Sequence, residues 1–393
     1  MGAGFETHLF ICRAGYEPVL CRELPARLTV PGGAAGAQEN PLPGTGWVRW
    51  RALPGALAKL GGPLIFERQR LPHARWQEGD DLATLAVALA AAWGAALGDA
   101  PAWTLHAFAP NPDAEDSRSA AAQWLERRLK ESLAAGNPAL GGTFVPAGRL
   151  GAQGLVLQVC RVAGGVWSSL ASPGALSDPH PGGVHRMAND PLAPSRSYLK
   201  LEEALEVGGL APRPNETVVD LGAAPGGWSY AFAKRGCRVW AVDNGPLKLK
   251  SLGDMGGEVA HLREDGQRFR PAGPVDWMVS DMLVAPGQTL GLLRRWLGAG
   301  WMRRFIVNVK LPQAHPFSAL DPIEAYLRGV PGLRYRLRQL YHDRREVTLM
   351  GWVERPPGAR PAPKPGPSDG KPRRRQPAHK PAAGRGHSKR GRR

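Results

Sequence analysis

The chain is short of cysteine. It has four, Cys12, Cys21, Cys160 and Cys237, and no CxxC spacing among them. That excludes a disulfide framework and a cysteine-built zinc site, and it fits a reducing compartment. A long apolar run is also missing. The nearest approach is residues 82–98, 17 Ala-rich positions bounded by Asp80, Asp81 and Asp99. A membrane span needs about 20 residues, so this stretch predicts a soluble helix, alanine being the best helix former. The first residues, MGAGFETHLF, carry neither the basic nor the apolar region of a secretory signal. A cytoplasmic location with no membrane partner is therefore expected.

Acidic residues are scarce relative to basic ones: 34 Asp+Glu against 51 Lys+Arg in 393 residues, a formal charge of +17. The excess argues for a polyanionic partner such as nucleic acid. Its distribution matters more than its sum. Residues 355–393 hold 13 Lys+Arg and one acid, Asp369, which leaves 38 basic and 33 acidic residues in 1–354. This last segment is rich in Pro and Gly and has no apolar periodicity. Such a composition cannot bury enough surface to offset its ordering entropy, so a disordered basic tail is expected. Apolar residues make up 43% of the whole, enough to give the remainder a sizeable core.

Along the first half, strand patterns are expected at 8–13, 44–53, 103–108, 154–162 and 165–170, and helices at 17–28, 82–98 and 117–135. Residues 31–46 read as a Gly/Pro-rich loop. This half is α/β, divides near residue 70, and contains no catalytic motif. Residues 172–194 are dense in Pro, Gly, Asp and His and read as a connection. His180 and His185 lie there with no cysteine or carboxylate array around them. They read as loop histidines, and no metal is expected.

From residue 195 strands alternate with helices, the pattern of a parallel sheet. Strands are expected at 217–221, 238–242, 258–262, 275–280 and 304–309, and helices at 227–235, 247–252, 287–297 and 320–328. Two further strands, 334–341 and 346–353, form a closing antiparallel hairpin. The fold class is thus α/β, with a Rossmann-like, doubly wound C-terminal sheet.

The sharpest motif is VVDLGAAPGGWSY, residues 218–230. A buried strand runs into a Gly-rich turn and then a helix, the build of a nucleotide crevice at the carboxyl edge of a parallel sheet. The dinucleotide fingerprint is G-x-G-x-x-G, whereas here the spacing is G-x-x-x-G-G with Pro225 inside. No GK[ST] follows, so a P-loop is excluded. Acids close three successive strands: Asp220, Asp243, placed to bond ribose hydroxyls, and Asp265. This turn matches the S-adenosyl-L-methionine loop of class I methyltransferases better than an NAD or ATP loop. Four more residues occupy positions from which they could converge. Lys200 lies at the start of the helix before the first strand, Asp281 ends the fourth strand, Lys310 ends the fifth, and Glu346 opens the last. Each alone has a plain structural reading: Lys200 could pair with Glu203 or Glu206, and Glu346 with a neighbouring arginine.

Together with the loop, these four resemble the K-D-K-E tetrad of RNA ribose 2'-O-methyltransferases. SRSYLKLEEA, DLGAAPGGW, VDNGP, LREDG, SDM, NVKLP and YHDRREVT occur in that order. In this respect the chain is similar to the bacterial 23S rRNA methyltransferase M family, which acts on a cytidine ribose. The likeness is dense over 195–353 and thinner in the first half (LFICRAGYE, GPLIFERQ). Two departures stand out. The loop reads Ala223-Ala224-Pro225 where ACP is common in the family, and Arg345 replaces the first of two acids before the last strand.

The resemblance implies a ferredoxin-like module over 1–70, a THUMP-like RNA-binding module over 71–171, a linker over 172–194 and a methyltransferase domain over 195–354. It implies S-adenosyl-L-methionine as cofactor and ribosomal RNA, 23S or its precursor, as partner. Cofactor contacts are implied at Ser197, Ala224, Pro225, Gly226, Gly227, Asp243, Asp265 and Asp281. Lys310 is implied as the proton acceptor, with Lys200, Asp281 and Glu346 completing the catalytic set. The chemistry explains the residue types. A lysine of ordinary pKa ~10.4 is neutral only about 0.04% of the time at pH 7, which corresponds to about 4.6 kcal/mol. Two lysines against two carboxylates therefore read as a charge-balanced array in which the proton moves as the new bond forms. Two alternatives stay open: a 2'-O-methyltransferase acting on another RNA, and a non-catalytic RNA-binding or ribosome-assembly protein that keeps the fold.

Overall fold

The computed structural model describes residues 4–27, 36–38, 43–60, 62–113, 118–249, 256–312 and 315–354. Three sheets carry the architecture. The first contains β1 (Glu6–Ile11), β2 (Gly36–Gln38), β3 (Trp47–Ala52) and β4 (Gln69–Leu71), ordered β2-β3-β1-β4, with α1 (Glu17–Arg27) after its first strand. The strand at 36–38 falls inside the stretch expected to be a loop. It pairs antiparallel with β3, so backbone pairing there overrides a turn-rich composition.

The second sheet is ordered β5-β8-β7-β6, from β5 (Arg75–Glu78), β6 (Trp103–Phe108), β7 (Leu155–Val162) and β8 (Gly165–Ala171). Two long helices, α2 (Leu82–Gly98) and α3 (Arg118–Gly136), pack on it, followed by the single turn α4 (Leu140–Thr143). The side chain of Asp81 caps α2 by accepting the Thr84 N–H at 2.8 Å, which satisfies one of the orphan donors of the first turn. Leu85, Leu89, Trp93 and Leu97 recur every four residues on its buried face, and Leu125, Leu129 and Leu133 do the same on α3.

The third sheet is the largest. It is preceded by α5 (Tyr198–Gly208) and contains β9 (Thr217–Leu221), α6 (Gly227–Ala233), β10 (Arg238–Val242), β11 (Glu258–Leu262), β12 (Val275–Ser280), α7 (Pro286–Gly298), β13 (Met302–Lys310), α8 (Pro316–Arg328), β14 (Leu333–Arg338) and β15 (Glu346–Val353). The order is β11-β10-β9-β12-β13-β15-β14. The first five strands are parallel, while β15 runs antiparallel to both β13 and β14. The order reverses between β9 and β12, so the crevice lies there, at the carboxyl ends of the strands. Of the helix expected at 247–252, residues 247–249 are irregular and the rest lie outside the described residues. The expected tail at 355–393 also lies outside them.

Side chains of β13 alternate between two cores. Phe305 and Val307 join a cluster that includes Phe10, Leu24 and Phe66 of the first module. Ile306 faces the opposite cluster with Leu201, Trp228 and Trp277. Phe66 meets Phe317 edge-on at 5.6 Å. The first module is thus packed against one face of the large sheet rather than tethered to it.

Candidate active site

Strand register assembles the charged centre. In the β13–β15 pairing, Lys310 stands opposite Glu346 and Asn308 opposite Thr348. The strand period of two puts Ile306, Asn308 and Lys310 on one face. Asp281 follows the last residue of β12, and Lys200 is the third residue of α5. The four candidates converge. Lys310 Nζ lies 2.7 Å from Asp281 Oδ1 and 3.7 Å from Glu346 Oε2. Lys200 Nζ lies 2.5 Å from Glu346 Oε1 and 3.3 Å from Asp281 Oδ2. Each lysine therefore touches both carboxylates.

The plain pairings open in the sequence are taken up elsewhere. Glu203 accepts the N–H groups of Tyr341 and His342 at 2.7 and 2.9 Å, and Glu206 faces His180 and His185. Glu346 also accepts the Arg344 N–H at 3.3 Å.

Electrostatics favour the charged forms of Asp281, Glu346 and Lys200. Burial by itself would raise the pKa of Asp281, but Lys310 and Lys200 outweigh it and keep the carboxyl below its ordinary range. Burial likewise works against Glu346, but the Lys200 hydrogen bond, helped by the charges of Lys310 and Lys200, keeps its pKa lowered. For Lys200, burial disfavours the charge while Asp281 and Glu346 more than restore it, leaving the pKa raised. These are opposite charges in contact stabilising one another in a partly dry site.

Behind the array runs a buried chain that the sequence reading did not single out. Asn308 donates to Asp281 Oδ1 at 2.8 Å. Thr348 Oγ1 donates to Asn308 Oδ1 at 2.8 Å and also lies 3.0 Å from Asp343 Oδ2. Asn308, Thr348 and Asp343 are all buried, and burial pushes Asp343 well up, with Glu203 and Glu346 adding to the effect. The signal for Asn308 was its position two residues before Lys310. Nothing local marked Asp343.

The glycine loop sits beside this centre. Gly222 has φ +77°, and a Cβ there would stand 2.3 Å from Met282 Cγ. Gly226 has φ +111°, the left-handed region that favours glycine. A Cβ on Gly227 would stand 2.5 Å from Ser197 Oγ, so Ser197 and the loop from Ala224 to Gly227 are brought together. Asp243 accepts the Ala224 N–H at 2.9 Å and the Gly245 N–H at 2.7 Å. A carboxylate offers about four lone-pair sites, so capacity remains for ribose hydroxyls. Asp265 is exposed, and its carboxylate accepts the Gln267 N–H at 2.8 Å. The neighbouring Gly266 closes on Gly222 N, 3.2 Å from where its Cβ would be. Asp220 is different: 1% exposed, it accepts the Ser229 hydroxyl at 2.6 Å beneath the loop. A close-set backbone, spare carboxylate lone pairs and an exposed acid at successive strand ends fit a nucleoside-bearing cofactor.

A cavity of about 860 Å³ opens beside Lys200 and Glu346, both of which line it. Arg13, Arg186, Arg196 and Arg344 line it together with Tyr341. One of these comes from the first module, so both halves of the chain face the charged centre.

A family model described as FtsJ-like methyltransferase matches residues 193–292. That span takes in Lys200, the glycine loop and Asp281, and it defines the class: a methyltransferase whose cofactor is S-adenosyl-L-methionine. Ribosomal RNA large subunit methyltransferase M of Alkalilimnicola ehrlichii is 44% identical over 190 residues, 46% of this chain and 52% of that protein. The protein of that name from Laribacter hongkongensis is 48% identical over 185 residues, 44% of this chain and 51% of that one. These two matches span about half of each relative. The protein of the same name from Xanthomonas oryzae pv. oryzae is 35% identical over 358 residues, 87% of this chain and 98% of its own length. The chain belongs to the ribosomal RNA large subunit methyltransferase M family.

Proposed function

We propose that the protein methylates the 2'-hydroxyl of a cytidine ribose in 23S rRNA, acting in the cytoplasm. The observation that carries this reading is the convergence of Lys200, Asp281, Lys310 and Glu346, with every lysine–carboxylate pair within 3.7 Å. Names of the family's relatives support the RNA, and the arginine-lined cavity supports a phosphate-bearing substrate.

In this reading Ser197, residues 224–227, Asp243, Asp265 and Asp281 hold the cofactor. When bound, S-adenosyl-L-methionine supplies a methyl group already activated on a sulfonium. The chain's own task is alignment and proton removal. In its deprotonated form, with its own proton lost beforehand to solvent, Lys310 Nζ takes the ribose hydroxyl proton as the new C–O bond forms and the methyl–sulfur bond breaks, the sulfur leaving as a neutral thioether. Asp281 and Glu346, 2.7 and 3.7 Å away, hold the resulting ammonium in place. Lys200 balances the two carboxylates, and Asn308 fixes the rotamer of Asp281. Residues 195–354 form the catalytic domain. The first two sheets, including a THUMP-like module over 71–171, bind RNA.

The test is single-turnover methylation of unmodified 23S rRNA with labelled cofactor, followed by site mapping. Label on a cytidine ribose supports the reading. Label on a base, or transfer only to a different RNA, overturns it.

A further inference from the structure

The connection between the two halves folds its histidines into a box. His180 Nδ1 lies 3.0 Å from Asp178 Oδ1, and His185 Nε2 lies 2.8 Å from Asp178 Oδ2. On the far side, His180 Nε2 and His185 Nδ1 face Glu206 Oε1 and Oε2 at 3.4 and 3.1 Å. The two rings are 4.1 Å apart. The carboxylate array that seemed missing around these histidines is present: Asp178 lies in the connection itself, and α5 supplies Glu206.

We propose that Asp178, His180 and His185 bind a divalent transition-metal ion of the zinc type, with Glu206 orienting both imidazoles from behind. One donor atom from each of the three residues lies within 4.8 Å of the others. Ligands at 2.0–2.2 Å from zinc stand about 3.3 Å apart on a tetrahedron. The Asp178–imidazole distances of 3.0 and 2.8 Å are already near that spacing, so small shifts of these side chains admit the ion. The tautomers agree with this arrangement. A neutral imidazole has one N–H and one lone pair. With both N–H groups given to Glu206, the two lone pairs and the Asp178 carboxylate point to one place. A histidine ligand donating its other N–H to a carboxylate is the usual outer shell of such sites.

Charge favours the same answer. Asp178 is buried, and a divalent ion would offset its charge without stacking two imidazolium rings 4.1 Å apart. Nitrogen and carboxylate donors together select zinc-like ions over magnesium or calcium.

A second observation points to the same place. His106 is 2% exposed, and among the described residues neither of its ring nitrogens has a hydrogen-bond partner. It lines a cavity of about 190 Å³ together with Asp178. A buried imidazole without partners is costly, and that cavity is large enough for ordered water beside the proposed ion.

The ion would be structural. Gln69 of β4 donates to the Asp178 carbonyl at 2.7 Å. Asp178 thereby ties β4 directly to the connection, the ion would fix Asp178 to both histidines, and Glu206 ties the same box to α5, the helix that carries Lys200.

The test uses tag-free, chelator-treated full chain titrated with Zn²⁺ alone, with Mg²⁺ as control. The expected result is one Zn²⁺ per chain with a higher melting temperature, and no response to Mg²⁺. D178N and H180Q should weaken binding at least 100-fold, and E206Q about 10–100-fold. His180 is about one-third exposed, so H180Q serves if D178N fails to fold. Visible absorption of the Co²⁺-loaded chain should disappear in H180Q. Failure to bind Zn²⁺, or binding that survives both D178N and H180Q at other histidines, overturns the proposal.

Discussion

Replacing Asp220 by Asn should change how stability depends on pH. Asp220 is 1% exposed at the end of β9. Burial pushes its pKa up to about 7 from an ordinary 3.8, with Asp281 and Asp243 adding to the rise while Ser229 opposes it. A carboxyl raised in this way binds a proton in the native state that the unfolded chain has lost. Its contribution is therefore fully present below pH 3.8 and disappears as pH rises to about 7. The slope is at most about 1.4 kcal/mol per pH unit, and the whole effect about 4 kcal/mol. Asn keeps an acceptor oxygen for the Ser229 hydroxyl and carries no charge. Urea unfolding of wild type and D220N at pH 4 to 8 measures the difference directly. The variant's relative stability should climb between pH 4 and 7 and then level off. Subtracting the two curves removes the opposite contribution of Asp281 and Glu346, whose lowered pKa values cost stability as pH falls. A difference that does not vary with pH would refute the assignment of a protonated, buried Asp220.

The buried chain behind the array gives a second prediction. N308A removes the hydrogen bond to Asp281, and bonds to charged groups are worth about 1.5–3 kcal/mol. Single-turnover methyl transfer should fall about 10–100-fold, with a much smaller loss of cofactor affinity by calorimetry; equal losses in both would make Asn308 merely structural. For RNA binding, R196A or R344A should lower affinity and reduce the salt slope by about one ion per arginine. Filter binding at several salt concentrations reads this, and an unchanged slope places the RNA elsewhere. Deleting residues 355–393, with their 13 Lys+Arg, should also weaken binding and flatten its salt dependence. Mapping should show the same nucleotide methylated; a shifted target would mean that this segment selects it.

Sequence pattern revealed the large sheet well because its central strands are buried on both faces and read as apolar runs. Thr217–Leu221, Arg238–Val242 and Val275–Ser280 fall where the runs placed them, and so does the more exposed edge strand Glu258–Leu262. The short polar strands were not legible. Gln69 and Arg70 of β4 are buried through hydrogen bonds to the connection and to Glu67, and no hydrophobic signal marks such a strand. β2 was hidden by its Gly-rich surroundings. In the site, the four charged residues were visible as separate motifs, but their pairing was not. Helical spacing made Glu203 as plausible a partner for Lys200 as Glu346. Only the return of residues 341–342 over α5 occupies Glu203 and leaves Lys200 to the array. The histidine box was invisible for the same reason, because Glu206 is far from His180 and His185 along the chain.

The most direct test of the central claim is single-turnover transfer by K310A, measured with cofactor binding on the same preparation. Transfer should fall about 10²–10⁴-fold, while S-adenosyl-L-methionine binding stays nearly intact, since Lys310 Nζ meets Asp281 and Glu346 and, among the described residues, none of residues 224–227. Transfer at the wild-type rate would contradict that claim.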